Sequence, residues 1–268
     1  MKLQALRFGR DQHLSGILTI PDDLNTGLAV VIPNAGFAPM AGPFRLHALL
    51  SERLAQIGIA SLRFDFSGLG DSATPATREA VGQRKLNDFR DALDHVEKSL
   101  GIQRFAALGL CSGATDSHRS ALADKRIEAV AMLDGVAYPD RLFKLINNFE
   151  RGLSSLRIGG YFWRKIFRQA APYRPKPNVP IIHKPTPRAE FSEQLTHALE
   201  AGTQYLFVFT GARPYNHRKQ IFSLLDKSIN TAGISISLFR DCDHTFFLQH
   251  DRERLAQTVS DWLQSKIL

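Results

Sequence analysis

The chain has 268 residues, enough for one α/β domain with a covering insertion but not for two independent cores. Its composition, 44% hydrophobic and 22% charged, is that of a soluble globular protein, and no run approaches the ~20 apolar residues that a membrane-crossing helix needs. A net charge of +8 admits nucleic acid, an anionic membrane or an acidic protein as partner, and equally an unevenly charged solvated surface. At the N-terminus, Arg7, Arg10 and Asp11 fall where an export signal requires an apolar run, so the segment reads as a first strand and points to a cytoplasmic chain. In that reducing compartment Cys111 and Cys242 are expected as two free thiols.

Short apolar strands alternate with amphipathic helices through the first half, the pattern of a mostly parallel sheet covered on both faces. Residues 3–9 and 14–20 open the chain as an antiparallel pair. Leu28–Pro33 is a buried strand, followed by the loop Asn34-Ala35-Gly36-Phe37 and a helix over roughly 43–57; Ile59–Phe64 is the next strand. The turn-rich stretch Asp65–Ser72 leads to a helix over 80–99, whose Leu86, Phe89, Leu93 and Val96 have helical spacing. Phe105–Leu108 runs straight into Gly109-Leu110-Cys111-Ser112-Gly113, with a helix to about Leu122, and Ala129–Leu133 is a strand ending at Asp134.

Residues 137–200 break the alternation, with helices expected near 140–155, 158–170 and 189–200 around the proline-rich stretch Pro172–Pro187. They read as a helical cap inserted into a core made of residues 1–136 and 201–268. Arg151, Arg157, Arg164, Lys165, Arg168, Arg174 and Lys176 concentrate the positive charge there, among Tyr161, Phe162, Trp163, Phe167 and Tyr173. Basic and aromatic residues together can hold nucleic acid. The apolar spacing of Leu153, Leu156, Ile158, Trp163 and Phe167 is met more simply by cap helices, and no nucleic-acid partner is expected. Strands Tyr205–Phe209 and Ile234–Phe239 and a closing amphipathic helix over 248–266 restore the pattern.

Gly-x-nucleophile-x-Gly between a strand and a helix forces a sharp turn, and small flanking residues let strand and helix atoms approach. Cys111 stands at its apex, where the N–H groups of the following helix favour a thiolate and a developing oxyanion. Two other readings stay open: Cys111 as a buried small residue in an inactive fold, and the neighbouring Ser112 hydroxyl as nucleophile. His244, just after the last strand, is the best general base; His118 and His217 read as solvent-facing or second-sphere residues. The acid is less clear, because Thr210–Asn216 holds no carboxylate. Asp134 at the end of the preceding strand is favoured, and Asn216 could orient the imidazole through its amide oxygen or touch substrate. The oxyanion hole is expected from the Ser112 backbone N–H with that of Gly36 or Phe37.

With Arg63-Phe64-Asp65-Phe66-Ser67-Gly68-Leu69-Gly70-Asp71-Ser72 and Gly109–Ala114 in place, the chain resembles the α/β-hydrolase superfamily along nearly its whole length. The Gly-Leu-Cys turn, Gly42-Pro43-Phe44-Arg45-Leu46 and the Arg-Phe-Asp segment resemble, more narrowly, bacterial hydrolases associated with exosortase gene clusters, themselves similar to serine aminopeptidase-like hydrolases. The chain departs from the superfamily pattern in having Asn34 where a histidine is common and in lacking a carboxylate after Phe209. Dienelactone hydrolases are similar in placing Cys-His-Asp chemistry on this fold, but lack a long cap.

The resemblance implies an eight-stranded α/β-hydrolase fold and hydrolysis of a small-molecule ester or thioester through an acyl-Cys111 thioester, without metal or cofactor. Transfer of the acyl group to or from an acidic acyl carrier protein, or to an amine or alcohol, is the alternative, since the basic cap would steer such a carrier. A non-catalytic protein that grips an acyl ligand is a third reading.

Overall fold

The computed structural model describes residues 1–75, 79–155, 186–212, 214–215 and 217–268, with side chains undescribed over 150–155. The expected helix at 158–170, most of the proline-rich stretch and Asn216 lie outside the described residues.

Hydrophobic alternation makes a two-faced sheet. In β3 (Leu28–Pro33), Leu28, Val30 and Ile32 enter one apolar cluster, while Ala29 and Val31 enter the other, as a period of two dictates. The other strands are β1 (Lys2–Phe8), β2 (Leu14–Ile20), β4 (Ala60–Asp65), β5 (Arg104–Leu110), β6 (Ile127–Leu133), β7 (Gln204–Thr210) and β8 (Ile234–Phe239). Among the described residues these eight form one sheet in the order β1-β2-β4-β3-β5-β6-β7-β8, antiparallel across β1-β2 and β2-β4 and parallel from β4 onward.

Helices α1 (Leu46–Gln56) and α7 (Gln249–Lys266) pack together on one face; α2 (Val81–Leu100) and α3 (Ser112–Ala123) pack on the other. The helix expected over 43–57 begins late. Phe44 and Arg45 have φ of 49° and 61°, and this left-handed pair, within the short 3-10 turn Pro43–Arg45, breaks the helical path before α1. The chain doubles back tightly there: a Cβ on Gly42 would lie 2.7 Å from the His47 ring.

After β6, Tyr138 donates from its hydroxyl to the Thr186 carbonyl at 2.6 Å, and Asp140 caps α4 (Arg141–Ser155) by accepting the Phe143 N–H at 2.7 Å. Helix α5 (Arg188–Glu200), placed within the cap by the sequence pattern, is a layer of the core. Its Phe191, Leu195 and Ala198 are buried, and it packs on α3. An amphipathic pattern fixes which stripe of a helix is buried but not against which surface, so it could not separate a cap helix from this one. A short helix, α6 (Lys219–Phe222), follows β7 and had no counterpart in the sequence reading; its Gln220 amide ties the Tyr138 carbonyl (3.0 Å) to the Pro214 carbonyl (2.6 Å). None of the described helices is long and apolar enough to cross a membrane.

The core position of α5 has a measurable consequence. Phe191→Ala removes a fully buried ring and is expected to cost about 3–5 kcal/mol in urea unfolding. Leu145→Ala, on the exposed face of α4, should stay within about 0.5 kcal/mol. An equally small effect of Phe191→Ala would show that α5 can leave the core.

Candidate active site

The strand order reverses at β3 and β5: the chain runs from β3 outward to β4, then crosses back to β5 on the far side. In an open parallel sheet this leaves a crevice at the carboxyl ends of the two strands. The loop after β3 and the turn after β5 meet there.

Cys111 joins β5 to α3 with φ 56° and ψ −115°, a backbone conformation that costs a non-glycine residue ~1–3 kcal/mol. The flanking glycines make it feasible. A Cβ on Gly109 would lie 2.1 Å from the Gly113 carbonyl oxygen, and one on Gly113 would lie 3.1 Å from the Asn34 carbonyl oxygen. The Cys111 N–H donates to the Leu133 carbonyl at 2.8 Å, anchoring the turn to β6, and the side chain stays partly exposed.

Asp134 follows β6 with φ 47° and is fully buried. Its N–H donates to the Val208 carbonyl at 2.8 Å, so β7 carries the turn. Its Oδ1 accepts the Thr210 N–H at 2.7 Å, and its Oδ2 accepts both the Thr210 hydroxyl and the His244 Nδ1–H, the latter at 2.8 Å. With Nδ1 turned to the carboxylate, the other imidazole nitrogen is left for Cys111, with which His244 is also hydrogen-bonded. Burial alone would push the imidazole pKa down; the hydrogen bonds and charges of Asp134 and Cys111 overcome it and raise it to about 9.

The loop bearing His244 is fixed by Asp243, whose carboxylate accepts the Thr245 N–H at 2.7 Å, the Thr245 hydroxyl and the Phe247 N–H at 2.9 Å. Arg252 of α7 closes it by donating to the Phe246 carbonyl at 2.9 Å and to that of Phe247. The Asp-x-Thr spacing after a strand is the sequence signal of such a side-chain turn.

On the facing loop, the buried Asn34 side chain donates to the Gly36 carbonyl at 2.9 Å and accepts the Phe66 N–H at 3.0 Å. It braces the loop against the end of β4. Gly36, φ 56°, turns its N–H onto the Ser112 hydroxyl at 2.8 Å, and the Phe37 ring is 70% exposed beside it.

The structure therefore brings Cys111, His244, Asp134, Ser112 and Gly36 to one end of the sheet. Thr210, absent from the sequence-based set, holds the carboxylate; the question that would have found it is what donors satisfy a buried aspartate next to β7. His118 is not solvent-facing: it is buried under Phe191, accepts or donates at 2.8 Å with the Tyr205 hydroxyl, and burial pushes its pKa down to about 4. His217 is engaged with Asp140 at 3.1 Å. Cys242 is buried, and burial pushes its thiol pKa up. Neither Cys111 nor Cys242 is in a disulfide. Among the described residues no group of three or more His, Cys, Asp or Glu side chains is arranged to hold a metal ion.

No protein-family model matches the sequence, and no curated protein matches it significantly. Solved structures do match in shape. An α/β serine hydrolase without lid from Xanthomonas campestris is 14% identical, with a TM-score of 0.59 over 99% of this chain and 95% of its own. The esterase domain of a Rhodothermus marinus protein is 16% identical, with a TM-score of 0.61 over 98% of this chain and 99% of its own. An esterase from Pyrococcus furiosus is 14% identical, with a TM-score of 0.63 over 98% of this chain and 90% of its own. Sheet order, crossover connections and these likenesses together establish that the chain has the α/β-hydrolase fold.

Proposed function

We propose that the protein hydrolyses an ester or thioester through a thioester on Cys111, with His244 as acid and base and Asp134 as the group that orients it. One observation carries the reading: a cysteine at the strained turn after β5, hydrogen-bonded to an imidazole that a buried carboxylate holds from behind. The esterases of like shape support the hydrolytic outcome. The narrower likeness to hydrolases of exosortase gene clusters belongs to the same proposal and rests on the sequence segments alone.

The raised imidazole pKa determines where the proton starts. The value of about 9 that His244 reaches beside Asp134 and Cys111 keeps the imidazole protonated at neutral pH, and an imidazolium next to the thiol, with the N-terminus of α3 beneath it, favours the thiolate of Cys111. The thiolate sulfur attacks the substrate carbonyl carbon; the C–S bond forms as the carbonyl electron pair moves to oxygen. When the intermediate collapses, the leaving oxygen or sulfur departs with the imidazolium proton. Acylation also removes the thiolate charge that helped raise the imidazole pKa, which therefore falls and makes neutral His244 a base for the attacking water. Water adds, His244 takes its proton, and the carboxylic acid leaves as the thiolate is restored.

Acyl transfer to an acidic carrier protein rested on the basic residues of the cap, and from Arg157 to Lys176 these lie outside the described residues. Nothing in the described site favours that acceptor over water. Following the Cys111 adduct by intact mass after exposure to a p-nitrophenyl ester separates the outcomes: loss in buffer alone indicates hydrolysis, and loss only on adding a thiol or amine indicates transfer.

Iodoacetamide should alkylate Cys111 at least tenfold faster than Cys242 at pH 7, since one thiol is partly exposed and paired with an imidazolium and the other is buried with a raised pKa. Equal, slow rates at the two sites would favour a non-catalytic ligand-binding protein. Asp134→Asn removes the largest of the influences that raise the His244 pKa, so the imidazole should titrate well below 9, and acylation, which needs its proton, should fail at lower pH than in the wild type. The same variant should lose about 10²–10⁴-fold in kcat. An unchanged imidazole titration by NMR would remove Asp134 from the mechanism.

A further inference from the structure

Oxyanion stabilisation was expected from backbone N–H groups, yet the Gly36 N–H is already turned onto the Ser112 hydroxyl, 2.8 Å away. A hydroxyl oxygen that accepts this bond still has its own proton to donate. Gly36 is exposed and Ser112 partly exposed, so the hydroxyl lies within reach of a molecule entering the crevice. Ser112 is the residue after Cys111 and the first of α3, whereas Gly36 approaches from the loop after β3 across the reversal in strand order. The hydroxyl therefore links the residue next to Cys111 to the loop on the other side of the crevice.

We infer that the Ser112 side chain is an oxyanion donor: its O–H, polarised by the Gly36 N–H behind it, hydrogen-bonds the oxygen of the tetrahedral intermediate alongside the Ser112 backbone N–H. This rests on the acyl-transfer reading above. In the series N–H to O–H to O⁻ each bond strengthens the next, and an O–H donor to an anionic oxygen forms a short, strong contact. No proton leaves Ser112; the O–H bond stays intact through both half-reactions. The Gly36 N–H then acts through the hydroxyl, and the loop is required for rate even though it need not touch the substrate oxygen.

The test compares wild type, Ser112→Ala and Ser112→Thr in pre-steady-state acylation by a p-nitrophenyl ester and, separately, in alkylation by iodoacetamide, a displacement at carbon that develops no oxyanion. Ser112→Ala should acylate about 10²–10³-fold more slowly, the cost of one oxyanion donor, with its alkylation rate unchanged. Ser112→Thr should regain most of the loss. Three results overturn the inference: an alanine variant that acylates as fast as the wild type, one that acylates faster because the hydroxyl had occupied the oxyanion position, or a parallel fall in acylation and alkylation, which marks a merely structural residue. A wild-type protein that is alkylated but never acylated overturns the acyl-transfer reading and the inference with it. Urea midpoints of the three proteins identify any variant that has lost its fold.

Discussion

A carboxylate with no solvent access is tolerated in a protein interior only when its charge is matched by well-placed donors. The carboxyl group of Asp134 meets that condition with the Thr210 N–H, the Thr210 hydroxyl and the His244 imidazole, drawn from the end of β7 and from the loop beyond β8. These contacts tie the end of β7 and the loop beyond β8 to one buried group at the end of β6. The imidazole cannot move without leaving a buried charge short of a partner, so the position of His244 is set by the same electrostatics that shift its proton affinity. Burial and pairing oppose one another at this histidine, and pairing prevails, which raises its proton affinity.

Much of this was legible in the sequence because it depends on local pattern. Strand and helix alternation, the glycines around Cys111 and the position of His244 after the last strand each follow from short-range geometry. With no carboxylate after Phe209, the sequence leaves Asp134 at the end of β6 as the nearest candidate, and its Oδ2 accepts the His244 Nδ1–H at 2.8 Å. What the pattern could not convey is long-range. Thr210 matters through its bond to Asp134 after β6, 76 residues away in sequence, and Asn34 through a contact just past the end of β4, 32 residues on. The placement of α5 against α3, and the burial of His118 that goes with it, likewise depend on which surface an amphipathic stripe meets. Asn34 stands where a histidine is common; here its amide has a structural task, bracing the loop that carries Gly36.

Both sides of the crevice are held by side-chain bonds to backbone groups. On the His244 side, Asp243 and Arg252 fasten the loop with four such contacts, while on the Gly36 side the Asn34 amide donates to the Gly36 carbonyl and the Ser112 hydroxyl accepts the Gly36 N–H. Preorganised donors are worth most where they need not rearrange as charge develops.

A Cβ on Gly109 would collide with the backbone of Gly113, and one on Gly113 would press on the Asn34 carbonyl oxygen at 3.1 Å, so the turn favours glycine at both positions. All chemical variety at this turn is thereby confined to the three residues between them. The scaffold is indifferent to whether sulfur or oxygen stands at the apex, since the strain there belongs to the backbone and not to the side chain. A substitution at the apex could therefore keep the fold, provided that the glycines stayed. The turn is thus a fixed socket, and the identity of residue 111 is the part that evolution can replace.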